Sequence, residues 1–490
     1  MTEIERNEVA KDAPILSQTL RKVSLRLLPF LFILYIVSYL DSINLSFAAL
    51  KMNADLGFSD SEYGFGAGIF FLGYCLFGIP SNHIVEKFGP RRWIALIMVL
   101  WGFITIALCL VRDPFTFALV RFILGAAEAG FFPGMLLYLT YWFPKREYGT
   151  AVARFMTAIP AAGLLGSLVA EKALGMEGLH GLAGWKWLFL ITGAPAVVLG
   201  AVVPFLIPDR PEHAKFLSPQ EKAALKEALS HEALSHEAPS QKAFLQESRN
   251  QEPERQDKNQ DKAQDKNQDK AIDEAQDQKQ DKAQDEKQNK AQSQTKAGSA
   301  LTSKVVWTYA LIYFTLTVSM YGFQFWLPQV IKAFSAAGQS DAITSRLTAI
   351  PAIFQGLGML IIAASSDKRR ERSFHLVVAN ALTAIGLLSA LYPDNGIKFG
   401  ALSLAAFGIW GAVGPFWALC RESLPRHLQA TGIALINSVG NLGGFAGPFL
   451  IGFIKEASKE NGLETALATL ASASLVSALI VYLRRRAPSM

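Results

Sequence analysis

SLRLLPFLFILYIVSYLDSINLSFA, residues 24–48, is an apolar run broken by one acid, Asp41. About 20 mostly apolar residues suffice to cross a bilayer as a helix. Runs of this kind recur at 62–85, 91–111, 114–142, 147–173, 185–207, 302–333, 341–366, 372–392, 396–420, 424–456 and 462–484. The pattern predicts an all-α membrane protein with twelve transmembrane helices, arranged as two bundles of six. Several runs exceed what an upright helix needs, so tilt or kinking is expected.

The composition agrees. Of 490 residues, 51% are hydrophobic and only 18% charged, with 33 Phe and 9 Trp, too apolar for a soluble chain once the polar centre is set aside. The net charge of +6 does not point to nucleic acid, because the bases sit in the gaps between apolar runs. One set of gaps carries Arg21, Lys22 and Arg26, then Lys87, Arg91 and Arg92, Lys145 and Arg146, Lys368 to Arg370 with Arg372, and Arg484 to Arg486. By the positive-inside rule that side is cytoplasmic, with both termini and the central linker. The opening MTEIERNEVAKDA has no apolar core, so no cleaved signal is expected.

The expected organisation is a tail at 1–23, a bundle at 24–207, a polar linker at 208–301, a second bundle at 302–484 and a tail at 485–490. The linker holds ALSHEALSHEA and repeated QDK units, too polar to form a core, and reads as a solvated spacer. Cys75, Cys109 and Cys420 have no metal-ligand spacing and read as free cysteines in apolar segments. No phosphate-binding loop, metal site or nucleophile elbow is visible, so neither a cofactor nor an enzymatic activity is expected.

An ionisable group inside a membrane is costly and marks function by default. Asp41 lies past the middle of the first span, and Glu128 and Arg121 lie on the fourth. Seven residues are nearly two helical turns, so Arg121 and Glu128 share a face. Charge pairing among the three is expected, either as a static packing pair or as a proton site (Asp41, Glu128) beside an anion anchor (Arg121). Loss of water favours the neutral form of a carboxyl group, as a proton carrier requires. Asn44, Tyr321, Gln324 and Asn437 are the further candidate substrate ligands, with Asn441 one turn past Asn437. Trp326 reads either as a cavity wall or as an interfacial anchor, and Pro328 as a break near an outer gate. In GAAEAGFFPG, Gly125, Gly130 and Gly134 read as helix-packing positions, and Pro133 should loosen the helix just past Glu128.

These residues resemble a known family. Glu86-Lys87-Phe88-Gly89-Pro90-Arg91-Arg92 is similar to the signature cytoplasmic loop of the major facilitator superfamily, echoed by Asp367 to Arg372 in the second half. YLDSINLSFAALKMNADLGFSDSEYGFGAGIFFLGY, RFILGAAEAGFFPGMLLYLTYWFP, YGFQFWLPQ and INSVGNLGGFAGP resemble its anion:cation symporter family. The resemblance covers both halves and implies proton-coupled symport of tartrate, sugar acids, phthalate-like or hydroxyphenylacetate-like acids by a monomer in a bacterial inner membrane. It implies that Arg121 binds substrate carboxylate, that Asp41 and Glu128 couple protons, and that Glu86, Lys87, Arg91, Arg92 and Asp367 form a conformational latch. The family usually has Arg after the first-span Asp, and here Ser42 stands there. Arg421 lies at the wrong end of its span to replace it. An efflux antiporter or facilitator for a less acidic or aromatic solute is the alternative, and a sensor signalling through the linker a more distant one.

Overall fold

The structure is a computed structural model that describes residues 3–229, 299–335, 339–392, 394–425, 428–458 and 461–486. The first half comprises α1 (Glu3–Leu56), α2 (Asp60–Phe88), α3 (Pro90–Ala107), α4 (Pro114–Glu128), α5 (Phe131–Thr140), α6 (Lys145–Met156), α7 (Ala158–Leu174) and α8 (Gly184–Leu206). The second half comprises α9 (Lys304–Phe334), α10 (Asp341–Leu347), α11 (Ala349–Arg369), α12 (Ser373–Ser389), α13 (Asn395–Gly411), α14 (Val413–Ser423), α15 (Gln429–Ala457) and α16 (Gly462–Arg486). The pairs α4–α5, α6–α7, α10–α11 and α13–α14 each make one crossing with a short break, which leaves twelve crossings in two sets of six. Among the described residues, ten stretches are long and apolar enough to span a membrane, and Ser373–Ser389 is apolar but shorter. Asp60–Phe88 completes the set.

Local chemistry sets the ends. Ser59 and Glu62 form a reciprocal capping box at the start of α2. Gly89, at φ 79°, turns the chain between α2 and α3, a conformation that favours glycine, and Pro90 opens α3. Asp113 caps α4 by accepting from the Thr116 amide at 2.8 Å.

Several expected bounds move. The first crossing is one continuous helix far longer than 24–48, because its polar ends find partners outside the apolar layer: Lys22 pairs with Glu221, and Asp55 accepts from the Trp185 indole at 2.9 Å. The fourth crossing ends at Glu128 and restarts at Phe131, two residues before Pro133. Pro328 does not break α9, which runs on to Phe334. The expected solvated linker begins later than 208: Ala214, Leu217 and Leu225 are buried, and Pro208 accepts from the Tyr138 hydroxyl at 2.8 Å. Residues 230–298 with the QDK repeats lie outside the described residues, as does His427.

The halves meet along α2–α15, α1–α9 and α7 with α10 and α11. On α2, a Cβ on Gly64 would come within 2.5 Å of the Pro448 carbonyl oxygen, and one on Gly68 within 2.6 Å of that of Phe445. Helix backbones therefore touch here, which only small residues permit. Among the described residues two ion pairs cross between halves, Asp60–Lys455 at 2.9 Å and Glu171–Arg346 at 3.6 Å. Both lie on the face opposite the basic one. On the basic face, every ion pair among the described residues stays within one half or between a half and its own flanking segment: Arg91–Asp209, Lys22–Glu221, Arg372–Asp367, Arg372–Glu422 and, when the imidazole is protonated, His375–Glu371. The molecule is closed on the opposite face.

Candidate functional site

The buried charges gather in the first half. Asp41 is 1% exposed, Arg121 1% and Glu128 5%. Asp41 Oδ1 accepts from the Thr105 hydroxyl of α3 at 2.6 Å and from the Asn44 amide at 3.1 Å. Asn44 also donates to the Thr192 hydroxyl of α8 at 2.8 Å. The Asp41 and Glu128 carboxyls lie within hydrogen-bonding reach of each other, and no donor among the described residues reaches Asp41 Oδ2 or Glu128 Oε1. Two carboxyl groups at that range are suited to holding one proton between them.

Arg121 sits nearly two turns before Glu128 on α4. Its Nε and Nη2 donate to the carbonyls of Gly66 and Ala67 at 3.4 Å each, and its guanidinium lies 4.8 Å above the Phe70 ring and 5.9 Å from that of Phe325. Nη1 is buried with no hydrogen-bond partner among the described residues. The expected direct charge pair is thus absent: no ion pair within 4.0 Å joins Arg121 to either acid among the described residues. The α2 carbonyls and the Phe70 ring occupy its fork.

Asn44, expected to touch substrate, is 2% exposed and committed to Asp41 and Thr192. It turns into the core of the first half and positions the carboxyl group. The opposite side of α1 carries what the sequence reading missed. Tyr39 donates to Gln324 Oε1 at 3.1 Å and accepts from Gln355 Nε2 at 3.5 Å, and it meets Trp410 edge-on at 6.0 Å. Tyr35, one turn back, stacks on Phe155 at 4.5 Å. The i, i+4 spacing of Tyr35 and Tyr39 was the available signal. Gln355 and Trp410 had none, because only the meeting of the halves gives them a partner.

Gln324 is therefore at the centre, between the halves. Tyr321 packs on Phe71 at 4.2 Å. Asn437 is exposed and makes no hydrogen bond among the described residues. Trp326 is neither cavity wall nor interfacial anchor. It is 1% exposed, donates to the Pro448 carbonyl at 3.1 Å and meets Tyr63 edge-on at 5.1 Å. Gly125 and Gly130 are packing positions, where a Cβ would come within 1.9 Å of Phe70 O and Ser81 Oγ respectively, but Gly134 has 3.6 Å of room and is not. Arg421 is exposed and stays away from Ser42, whose hydroxyl bonds the Ser38 carbonyl.

Among the described residues, the expected latch side chains Lys87, Arg91, Arg92 and Asp367 make no ion pair between the halves. Arg91 pairs with Asp209 at 3.1 Å, Asp367 with Arg372 at 2.5 Å, and Lys87 and Arg92 are exposed. The Glu86 side chain lies outside the described set. The three cysteines are free, with Cys420 buried and the others half-buried. Among the described residues no cluster of three His, Cys, Asp or Glu side chains is placed to hold a metal ion.

A family profile described as Major Facilitator Superfamily matches residues 31–448. An Agrobacterium vitis protein named "Putative tartrate transporter" is 38% identical over 478 residues, covering 96% of each chain. An Acinetobacter baumannii protein named "Quinolone resistance transporter" is 38% identical over 441 residues, covering 89% of this chain and 88% of that one. The Escherichia coli (strain K12) "Inner membrane transport protein RhmT" is 32% identical over 474 residues, with 96% of each chain covered. Among solved structures, an inward-facing, occupied bacterial homolog of the human lysosomal transporter Spinster superposes with a TM-score of 0.67 at 15% identity, covering 94% of this chain and 96% of that chain. A D-xylose-proton symporter does so with a TM-score of 0.64 at 15% identity, covering 94% and 97%. These structures bear on the fold alone.

Proposed function

This chain belongs to the Major Facilitator Superfamily, and we propose that it is a proton-coupled symporter of a small organic anion, such as tartrate or a sugar acid. The observation that carries the reading is the buried pair of carboxyls, Asp41 and Glu128, beside a buried Arg121 whose Nη1 lacks a partner. Arg121 offers a carboxylate a planar, permanently charged donor. Asp41 and Glu128 hold the transported proton, and Thr105, Asn44 and Thr192 fix the Asp41 carboxyl in place. Gln324, Tyr321 and Asn437 supply polar contacts from the second half, with Tyr39 and Gln355 added to them.

Transport proceeds by rocking the halves about this centre, with the proton and anion together shifting which face is closed. A proton moving down the potential yields about 2.3 kcal/mol per 100 mV. The basic face is the cytoplasmic one in this reading, in a bacterial inner membrane, and the latch residues engage in the state closed on that face.

The test is uptake into proteoliposomes under an imposed proton gradient, screened over tartrate, sugar acids and aromatic acids. Glu128→Gln should lose uphill accumulation and retain counterflow exchange. Accumulation equal to wild type removes the coupling role. The second reading, an efflux antiporter for an aromatic solute, draws on Ser42 and on the aromatic wall of Tyr35, Tyr39, Phe155 and Trp410. Proton movement opposite to solute in the same vesicles would favour it.

A further inference from the structure

At the basic end of the first half, away from the buried charges, lies a cavity of about 580 Å³. Arg21 and Ser24 line it from α1 and Thr150 and Arg154 from α6, with Glu147 alongside and Leu25 and Phe143 as apolar wall. Arg21 and Arg154 are exposed and make no ion pair among the described residues. Lys22, next to Arg21, is already taken by Glu221 at 3.0 Å.

The cavity continues an exposed stripe on the spanning segment Glu147–Leu174. Glu147, Thr150 and Arg154 recur at three- and four-residue steps and share one face of α6. Seven-residue steps from Arg154 lead to Leu168, which with Leu164 and Leu165 is 36–42% exposed on α7. Leu25, on α1, is 68% exposed. An apolar exposed stripe that ends in two guanidiniums with no ion-pair partner among the described residues offers acyl chains a surface and a phosphate two charged donors.

We propose that this cavity binds the phosphate headgroup of an anionic phospholipid. Arg21 and Arg154 take the phosphate oxygens through charge-assisted hydrogen bonds, and Ser24 and Thr150 donate their hydroxyls. The acyl chains lie along Leu164, Leu165 and Leu168. With two bases and one acid the site is net positive, so a lipid with a net negative charge balances it and a zwitterionic one does not.

The test is native mass spectrometry of the full chain in detergent, titrated with phosphatidylglycerol or phosphatidylcholine. Wild type should retain phosphatidylglycerol at lower concentration than phosphatidylcholine. Arg21→Gln and Arg154→Gln should each weaken that retention about fivefold, the worth of one surface base. Lys215→Gln, a base outside the cavity, should leave it unchanged, and Arg21→Lys and Arg154→Lys should keep most of it. Equal retention of the two lipids, unchanged retention in the Gln variants, or equal loss in the Lys and Gln variants overturns the proposal. Displacement of the lipid by matching concentrations of glycerol 3-phosphate or tartrate also overturns it, and marks a soluble-anion vestibule instead.

Discussion

Lys455 of α15 reaches Asp60 at the start of α2 at 2.9 Å, while its ammonium lies 4.2 Å above the Trp326 ring. One side chain thus ties the two halves together on the face opposite the basic one. Next to it, Glu456 accepts from the Ser61 amide at 3.1 Å.

Breaking this tie should favour opening of that face. The pair is partly exposed, so it is worth about 0.2–1 kcal/mol, a shift of at most about fivefold in population. Asp60→Asn is expected to raise labelling of cysteines placed beneath the gate by that margin. Exchanging the charges, Asp60→Lys with Lys455→Asp, should restore wild-type labelling. Unchanged labelling in Asp60→Asn contradicts the role.

Gly64 should matter more than the ion pair. Its Cβ would meet the Pro448 carbonyl oxygen at 2.5 Å, and backbone does not yield as a flexible side chain does. Gly64→Val is expected to hold the halves apart on this face, with labelling beneath the gate near its maximum and uptake lost while expression persists.

Arg121→Lys should not rescue Arg121→Ala. An ammonium lacks the planar fork that serves the Gly66 and Ala67 carbonyls and leaves Nη1 over. The expected outcome in uptake assays is a KM raised tenfold or more, about 1.4 kcal/mol of binding.

Thr105→Val removes a 2.6 Å donor to Asp41 and keeps the side chain's shape. A buried acceptor left short costs about 1–3 kcal/mol. Uptake driven by a proton gradient should fall about tenfold or more, with a smaller effect on exchange. A variant that accumulates substrate like wild type shows that Asp41 is held by Asn44 alone.

The stretch after α8 should release in acid. The Ser218 amide, with help from Lys22, holds the Glu221 carboxyl below the usual carboxylate range. A depressed folded value means the contact contributes fully above the ordinary value, about 4.3, and is lost as pH falls through the lower one. Hydrogen-exchange protection over 219–229, relative to the free-peptide rate at each pH, should be steady from neutral pH to about 5 and fall only below it. Lys22→Gln should raise exchange there at neutral pH.

Asp41 and Asn44 show how far the sequence could be read. An acid inside an apolar run marks a candidate site by default, because a carboxyl group in lipid is costly unless it faces a cavity or a partner. The neighbouring Asn44 carried no such signal about direction. Three residues turn a helix by about 300°, so both side chains reach the same core, and the tertiary packing of Thr105 and Thr192 decided that Asn44 serves the carboxyl. Tyr39 was passed over for the same reason, since its two glutamine partners, Gln324 and Gln355, come from the other half.

By itself the sequence determined the twelve crossings and their alternation, since apolar length and the placement of charge between runs are local properties. It also marked Asp41, Arg121 and Glu128. The tertiary structure decided that the acids face each other, that Arg121 is cradled by α2 carbonyls rather than by those acids, and that Trp326 seals rather than lines. It also decided which face is closed. Each of these depends on which helix backbones touch, at glycines such as Gly64, Gly68 and Gly125. Contacts between segments tens to hundreds of residues apart leave no periodic trace in either one.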